Sequence, residues 1–419
     1  MYKFVINGQK KLEGEVEISG SKNAALAIVP ASILVGGPCE IHCVPDIDDV
    51  KTMIEILVQL GATVEWLSKE NVMIDTSTIN SHTATYEMTS RIRASCYLLG
   101  ALLGSRKIAN VAPSGGCDFG VRPIDQHIKG FQLMGATHKL EHGADFLKAD
   151  DLHGAHIYLD MVSVGATINI MLAAVKANGK TVIENAAKEP HIVDVANFLN
   201  SMGANIKGAG TDVIKIKGVE TLHGGYKHTI IPDQIEAGTY MIAAASTGGN
   251  VLVKNVIPTH MESLVSKLID IGVSIEEFED SIRVWADKPI RKAIVKTLPH
   301  PGFPTDLQPL MTALLCCAEG LSTVNEGVWD SRFQYVDELK RMGAKIEVNG
   351  RTAFIEGVKH LSGAPIRAHD LRAGAAMVIA GLTAEGTTEI YNVKDIDRGY
   401  QNFIEKLQAL GADIRRVEI

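Results

Sequence analysis

Residues 48–66 read DDVKTMIEILVQLGATVEW, and their pattern is the clearest copy of a repeating unit. Before Gly61 the apolar residues recur at helical spacing, and after it apolar and polar residues alternate as they do in a strand. A glycine at such a junction is typical of a helix that ends at a residue in the left-handed region. The stretch therefore predicts an amphipathic helix, a glycine cap and a strand.

The same pattern occurs six times in the 419 residues. The five later copies read LMGATHKL, SMGANIKG, DIGVSIEE, RMGAKIEV and ALGADIRR. From Gly61 onward the successive glycines are 74, 68, 69, 71 and 68 residues apart, at Gly135, Gly203, Gly272, Gly343 and Gly411. This near-constant spacing indicates one supersecondary unit of about 70 residues, repeated six times.

A second, more uniformly apolar segment precedes the amphipathic helix of a repeat. The clearest examples are AALAIVPASILVGG (24–37), PLMTALLCCAEG (309–320) and AGAAMVIAGLTAEG (373–386). Helices that are apolar on all sides are buried, and a unit of this size buries too little surface to be stable alone. We therefore expect an α/β fold in which repeats pack around shared buried helices.

Composition excludes several classes of protein. Hydrophobic residues make up 46% of the chain and charged residues 21%, and no apolar run reaches the roughly 20 residues of a membrane span. The N-terminus has no apolar core of the kind that a signal peptide requires. A net charge of −8 argues against a nucleic-acid surface. We expect a globular enzyme without a membrane or nucleic-acid partner.

The six cysteines predict neither a disulfide framework nor a zinc site. They stand at Cys39, Cys43, Cys96, Cys117, Cys316 and Cys317, and no CxxC pair is present. A reducing cytoplasm fits this pattern best.

Basic residues stand where the helices of several repeats are predicted to begin. They are Lys22, Arg91, Arg93, Arg122, Arg372 and Arg398. Equivalent positions of a repeat project from the same end, and helix N-termini already carry partial positive charge and free N–H groups. The cations therefore predict an anion site. In the alternative, each pairs with a neighbouring carboxylate on a solvated face.

Residues 113–123, PSGGCDFGVRP, predict a loop that can open and close. Three glycines between two prolines give little intrinsic secondary structure. Cys117 lies at its centre and near Arg122 in sequence, so its thiolate would be favoured by nearby cations. In the alternative, Cys117 is a small apolar filler, although its Gly, Gly and Asp neighbours do not suit burial.

Seven segments carry a resemblance to the UDP-N-acetylglucosamine 1-carboxyvinyltransferase family of enolpyruvyl transferases, within the EPSP synthase superfamily. They are SGSKNAAL, RASCYLLG, APSGGCDFGVRPID, DMVSVGATINI, PGFPTDLQP, HDLRAGAAMV and DIDRGY, and they span the chain. The resemblance implies two domains, each an inside-out α/β barrel of three repeats with buried helices and outer sheets, and an active site between them. We expect residues 22–230 to form the first domain. Residues 231–419 would form the second, completed by an N-terminal strand from residues 1–21.

The resemblance implies a bacterial, cytoplasmic reaction without a redox cofactor or a metal. The enolpyruvyl group of phosphoenolpyruvate would be transferred to the 3′-hydroxyl of UDP-N-acetylglucosamine through a tetrahedral ketal that loses phosphate. This is the first committed step of peptidoglycan synthesis, and so of cell-wall biogenesis, cell shape and division. The oligomeric state is left open.

The resemblance also implies roles for individual residues. Lys22, Arg122 and Arg398 would hold phosphate and carboxylate, and Asp306 would be the general base or, alternatively, a helix N-cap. Cys117 would donate a proton or assist product release, and it would be the residue that the epoxide fosfomycin alkylates. The implied substrate-binding residues are Lys22, Asn23, Arg93, Arg122, Pro123, Ile124, Asp125, Gln126, Val162, Ser163, Val164, Gly165, Asp306, Val328, Arg372 and Arg398.

The SVGAT segment, residues 163–167, precedes an apolar helix, so its backbone N–H groups could hold a diphosphate. Met161 departs from the family pattern, because many relatives carry a lysine there. This removes a cation from the diphosphate region.

Other charged positions allow two interpretations. We favour His127 and Glu189 as surface groups, although both resemble site residues of the family. Asp233 and Glu236 would lie near a hinge. Asp370 and Arg372 are close enough in sequence to pair with each other.

Two rival functions remain at this point. The sister transferase that acts on shikimate 3-phosphate shares the fold but would need neither a cysteine loop nor the SVGAT contact. A noncatalytic repeat scaffold would not need Lys22, Cys117, Asp306 and Arg398 at matching ends of separate repeats.

Overall fold

The computed structural model describes residues 2–115 and 123–419. The described residues form two compact units. The N-terminal unit comprises residues 20–231 apart from 116–122, and the C-terminal unit comprises residues 2–19 with 232–419. Each unit contains three four-stranded sheets and three buried helices.

Along the chain, one or two half-exposed helices follow each buried helix. Those of the N-terminal unit are α1 (Lys22–Ala31), α2 (Asp48–Leu60), α3 (Tyr86–Thr89), α4 (Tyr97–Arg106), α5 (Asp125–Leu133), α6 (Val164–Ala174) and α7 (Pro190–Ser201). Those of the C-terminal unit are α8 (Gln234–Ser246), α9 (Glu262–Asp270), α10 (Gln308–Leu315), α11 (Val336–Arg341), α12 (Leu371–Thr383), α13 (Lys394–Asp397) and α14 (Phe403–Ala409). Short 3-10 turns cover Ser32–Leu34, Arg93–Cys96, Pro258–His260 and Thr305–Leu307.

The strands are short, and most lie on the outside of the buried helices. The first twelve are β1 (Tyr2–Asn7), β2 (Glu13–Glu17), β3 (Pro38–His42), β4 (Thr63–Trp66), β5 (Val72–Asp75), β6 (Thr83–Ala84), β7 (Ile108–Val111), β8 (Thr137–Glu141), β9 (Ala144–Lys148), β10 (His156–Tyr158), β11 (Lys180–Glu184) and β12 (Asn205–Lys207). The others are β13 (Val213–Lys217), β14 (Lys227–Thr229), β15 (Asn250–Lys254), β16 (Ser274–Glu277), β17 (Ser281–Trp285), β18 (Ile294–Lys296), β19 (Leu321–Asn325), β20 (Lys345–Asn349), β21 (Thr352–Glu356), β22 (Pro365–Arg367), β23 (Thr387–Tyr391) and β24 (Asp413–Glu418).

The six sheets share one pattern of pairing. In the N-terminal unit the strand orders are β14-β3-β5-β4, β6-β7-β9-β8 and β10-β11-β13-β12. In the C-terminal unit they are β2-β15-β17-β16, β18-β19-β21-β20 and β22-β23-β1-β24. In every sheet the first pair is parallel and the other two pairs are antiparallel. The predicted α/β fold of six similar repeats, three in each unit, is confirmed.

The six glycines that define the repeat have the predicted conformation. Their φ angles lie between 91° and 108°, in the left-handed region that side chains other than glycine rarely adopt. Each one ends an amphipathic helix and precedes a strand. In the first repeat, for example, Gly61 caps α2 and is followed by β4.

Both ends of the chain meet in the last sheet. Strand β1 lies between β23 and β24 and is antiparallel to both, with Phe4 opposite Ile390 and Asn7 opposite Asp413. Strand β2 pairs in parallel with β15. The first nineteen residues thus complete the C-terminal unit.

The buried helices of the N-terminal unit approach one another closely. A Cβ atom added at Gly100 of α4 would lie 2.3 Å from the Asn169 carbonyl oxygen of α6. One at Gly104 would lie 2.7 Å from the Leu172 carbonyl oxygen. Small residues in α4 therefore allow this contact. Among the described helices, none is long and apolar enough to cross a membrane.

Candidate active site

Lys22 begins α1 and lies in a buried ion pair. Its Nζ is 2.8 Å from Oδ2 of Asp49, in the first turn of α2, and both side chains are about nine-tenths buried. Ser21 caps α1 by accepting a hydrogen bond from the Ala24 backbone N–H, and Asn23 is half-buried. The structure therefore supports a fixed cation at the start of α1.

The two arginines of the TSRIRAS segment differ in environment. The Nη1 of Arg93 donates to Ser114 Oγ at 2.8 Å, and Arg93 is half-buried. Arg91 is exposed and pairs with Glu55 at 2.7 Å. For Arg91, the structure therefore favours an ion pair on a solvated face over a role in an anion site.

His127 lies inside the N-terminal unit, so the interpretation of it as a surface group is wrong. Asn169 of α6 accepts from the Gly100 N–H and donates to the Cys96 carbonyl, which fixes the orientation of its amide. Its Nδ2 then donates to His127 Nδ1 at 2.8 Å, so the imidazole proton lies on Nε2. Packing against α6 buries this residue of α5.

The environment keeps His127 neutral. Burial lowers its pKa to about 4 and the positive charge of Arg93 adds to this effect, while Asp125 opposes it. A Cβ atom added at Gly165 would lie 3.0 Å from His127 Nε2. The unit thus brings Arg93, His127 and Gly165 into one neighbourhood.

Gln126 connects α5 to the segment before α6. Its Oε1 accepts from the Asp160 backbone N–H at 2.9 Å, and its Nε2 donates to the Asp125 and Asp160 carboxylates. Lys129 Nζ donates to Asp160 Oδ1 at 2.8 Å. Pro123 and Asp125 are exposed, and Ile124 is half-buried.

The SVGAT segment begins α6, as predicted. Ser163 is the N-cap, and its Oγ accepts from the Ala166 N–H at 3.2 Å. Val164 and Gly165 are half-buried in the first turn, whereas Met161 and Val162 are exposed. The first turn of α6 therefore lies beside His127 and Gln126.

Cys117 and Arg122 lie outside the described residues. Their assignment as the reactive thiol and as an anion-binding cation stays a prediction.

In the C-terminal unit, an aspartate precedes each of the three buried helices. Asp233 caps α8 by accepting from the Ile235 and Glu236 N–H groups, and Asp370 caps α12 by accepting from Arg372 and Ala373. Neither the Thr305–Leu307 turn nor α10 has a side-chain cap. The alternative role of Asp306 as an N-cap is therefore wrong.

The Asp306 carboxylate lies between two buried guanidinium groups. Its Oδ2 accepts from Arg372 Nε at 3.1 Å, and its Oδ1 lies 3.4 Å from Arg332 Nη2. The side chains of Arg332 and Arg372 are 0% and 5% exposed, against 31% for Asp306. Asp370 accepts from the backbone N–H groups of Arg372 and Ala373. Among the contacts of the described residues, it does not pair with the Arg372 side chain, so that expectation is wrong.

Arg372 remains charged in this setting. Burial alone would lower its pKa, but Tyr400, Asp306 and Asp233 together raise it above the usual value. Its guanidinium lies 5.4 Å from the centre of the Tyr400 ring, in cation–π contact. The Arg372 Nη1 atom is buried and has no hydrogen-bond partner among the described residues.

Two other predicted site residues lie in the C-terminal unit. Arg398 ends α13, has a side chain 18% exposed, and lies 3.7 Å from Asp395 Oδ1. Val328 is half-buried, and its backbone N–H donates to Glu326 Oε1 at 2.8 Å.

Glu236 and Glu189 are not fully exposed on the protein surface. Glu236 is buried, and its carboxylate accepts from Lys406 Nζ and from the Ser19 N–H. Glu189 is half-buried and precedes α7. The interpretation of Glu189 as a plain surface group is wrong.

Sequence reasoning missed Asp49, Arg332 and Glu326. The acidic DIDDV segment at the start of α2 could have identified Asp49, because acidic residues there can neutralise a neighbouring cation. Arg332 and Glu326 lie in an irregular segment without periodicity, so no pattern marked them as buried.

Comparisons with known proteins show the family of the chain. The family model described as EPSP synthase (3-phosphoshikimate 1-carboxyvinyltransferase) matches residues 6–407. UDP-N-acetylglucosamine 1-carboxyvinyltransferase 3 of Caldanaerobacter subterraneus is 58% identical, and UDP-N-acetylglucosamine 1-carboxyvinyltransferase of Clostridium botulinum is 56% identical. Each alignment covers 100% of both chains.

Solved structures agree as well. The enolpyruvyl transferase NikO from Streptomyces tendae has a TM-score of 0.90 at 26% identity, over 99% of both chains. EPSP synthase from Acinetobacter baumannii has a TM-score of 0.78 at 21% identity, over 100% of both chains, which shows the shared fold alone. The chain therefore belongs to the EPSP synthase family of carboxyvinyltransferases, and within that family to the UDP-N-acetylglucosamine 1-carboxyvinyltransferases.

Proposed function

We propose that this protein transfers the enolpyruvyl group of phosphoenolpyruvate to the 3′-hydroxyl of UDP-N-acetylglucosamine and releases phosphate. The observation that carries the proposal is the Asp306 carboxylate, which is not used as a helix cap and is held by Arg372 and Arg332. The full-length relatives at 56–58% identity carry the name of this reaction.

The first step is an addition. The 3′-oxygen of the sugar forms a bond to C2 of phosphoenolpyruvate, and its proton passes to the Asp306 carboxylate. C3 takes a proton from a general acid, either the Cys117 thiol or a water molecule, and becomes a methyl group. A positioned carboxylate in its ionised form suits the role of general base. The neighbouring guanidinium groups favour that ionised form and fix the direction of its oxygens.

The second step is an elimination. The methyl group of the tetrahedral ketal returns a proton to the deprotonated acid of the first step, and the electron pair of that C–H bond forms the double bond between C2 and C3. The C2–O bond to phosphate breaks, and inorganic phosphate leaves. Lys22, Arg122 and Arg398 would hold the phosphate and carboxylate groups, since cations stabilise charge that builds during addition. We assign Cys117 to proton donation or product release.

We assign residues of each unit separately to the nucleotide sugar. In the N-terminal unit Arg93, residues 122–126 and residues 162–165 would contact it, with the N–H groups of the first turn of α6 facing its diphosphate. His127 Nε2–H is a further donor beside Gly165. In the C-terminal unit we assign Asp306, Val328 and Arg372 to the sugar, and Asn23 to the enolpyruvyl group.

We further propose a bacterial cytoplasmic role in peptidoglycan synthesis, with no nucleic acid or membrane as a partner. No disulfide bond joins the described cysteines, which suits a reducing compartment.

The test measures phosphate release from phosphoenolpyruvate with UDP-N-acetylglucosamine or with shikimate 3-phosphate as acceptor. We expect phosphate release when UDP-N-acetylglucosamine is the acceptor and none when shikimate 3-phosphate is the acceptor. Mass spectrometry should find the enolpyruvyl ether at the 3′-oxygen of the sugar. Phosphate release only with shikimate 3-phosphate as acceptor would contradict the proposal.

A further inference from the structure

Glu326 is a buried acid that neither the sequence motifs nor the proposed reaction uses. It follows β19, and only 1% of its surface is exposed. Among the described residues it forms no ion pair with a lysine, arginine or histidine. An ionised carboxylate in such a place costs free energy unless hydrogen bonds satisfy it.

Four donors satisfy this carboxylate. Oε1 accepts from Thr297 Oγ1 at 2.8 Å, from the Val328 N–H at 2.8 Å and from the Trp329 N–H at 3.1 Å. Oε2 accepts from Thr305 Oγ1 at 3.0 Å. Thr297 Oγ1 in turn accepts from the Gly327 N–H at 2.8 Å. The donors come from three separate segments of the chain.

Two of these segments carry predicted site residues. Thr305 immediately precedes Asp306, and its carbonyl oxygen also accepts from Arg332 Nη2 at 3.5 Å. Val328 is the predicted sugar contact of the other segment. Hydrogen bonds to an ionised acceptor are about twice as strong as neutral ones, so the carboxylate restrains both segments together.

We propose that Glu326 is a positioning residue, which sets the Asp306 carboxylate through Thr305 and the Val328 backbone directly. This inference rests on the proposed function. A misplacement of about 1 Å can cost 10²-fold in rate, so a residue that touches no substrate can still determine turnover.

Three variants separate the Glu326 Oε2 bond to Thr305 from the Oε1 bonds to the Val328 and Trp329 N–H groups. Thr305→Val removes only the bond to Oε2, Thr305→Ser keeps it, and Glu326→Gln keeps the shape but removes the charge. For Thr305→Val we expect kcat to fall about 10- to 100-fold while KM for UDP-N-acetylglucosamine changes less than about twofold. Thr305→Ser should return kcat to within about threefold of the unchanged protein. Glu326→Gln should lower kcat and also raise KM for UDP-N-acetylglucosamine, because the segments of Thr305 and Val328 both become less restrained.

A second measurement does not depend on turnover. Hydrogen exchange of the Val328 and Trp329 amides should be at least about threefold faster in Glu326→Gln than in the unchanged protein, because a neutral acceptor binds them less strongly. If the unchanged protein releases no phosphate but the Glu326→Gln variant shows this faster exchange, the proposed function is refuted and the structural role of Glu326 is retained. An active protein whose Thr305→Val and Glu326→Gln variants have kcat within twofold of normal would overturn the inference.

Discussion

The Nε atom of Arg372 lies 3.1 Å from Oδ2 of Asp306, and this contact joins the starts of two neighbouring repeats. Asp306 therefore has a fixed orientation although 31% of its side chain is exposed. A carboxylate that is held on one side and open on the other can accept a proton from a bound hydroxyl.

Asp306→Asn keeps the side-chain volume but removes the proton acceptor. We expect turnover to fall by about two to four orders of magnitude, while UDP-N-acetylglucosamine still binds. Phosphate release and calorimetric titration measure the two effects. Asp337→Asn, at a carboxylate 86% exposed on α11, serves as the control and should keep normal turnover. Near-normal turnover of Asp306→Asn would exclude it as the base.

His127→Gln should change how stability depends on pH. The pKa of His127 is lowered from 6.5 to about 4, so the unfolded chain takes up its proton first as pH falls. The unchanged protein therefore loses stability from this residue between pH 6.5 and about 4, and Gln cannot contribute to that loss. Urea unfolding at pH 7.5 and pH 5 should show a smaller decrease for the variant. Equal decreases in the free energy of unfolding would mean that His127 takes up a proton in the folded protein without a cost in stability.

Gly343→Ala and Gly135→Ala separate backbone strain from crowding. Their φ angles are 92° and 91°. A Cβ atom at Gly343 meets nothing within 4 Å, whereas one at Gly135 lies 2.7 Å from the Asp151 carbonyl oxygen. We expect a loss of about 1–2 kcal/mol in the free energy of unfolding for Gly343→Ala, and a larger loss for Gly135→Ala. Urea unfolding checks both values, and equal losses would contradict the role of crowding.

Fosfomycin should alkylate Cys117 and no other cysteine. Burial raises the pKa of Cys39 to about 12 and also raises the pKa values of Cys316 and Cys317, so these thiols stay protonated. Peptide mass spectrometry locates the adduct. Cys117→Asp keeps a proton donor but removes the sulfur nucleophile, so we expect partial activity without inactivation. An adduct on Cys39 or Cys316 would refute the assignment of Cys117.

The repeat could be predicted from sequence because its signals are local. Helical spacing before Gly61 and alternation after it depend on neighbouring residues only, and the φ angle of Gly61 agrees. The pairing of β1 with β23 and β24 has no such signal, since its partners lie near the opposite end of the chain. The family resemblance implies only that an N-terminal strand completes the second domain, without naming its partners.

The candidate site was less predictable from sequence for a similar reason. Lys22 is marked by its place at the start of an apolar helix, whereas the role of Asp306 is predicted through the family resemblance. The burial of His127 depends on contact with Asn169, 42 positions away, and that of Arg332 on the turn at Asp306. Contacts between distant segments decide whether a polar residue is exposed, so spacing alone gave the wrong environment for His127.

The place of β1 between β23 and β24 has a consequence for synthesis of the protein. Asn7 leaves the ribosome early, but its partner Asp413 lies 406 positions later. The N-terminal unit, whose strands all lie between residues 38 and 229, can close its sheets while translation continues. The C-terminal unit must wait until β24, Asp413–Glu418, has been synthesised. Until then, β1 is an unpaired hydrophobic segment that needs protection from other nascent chains.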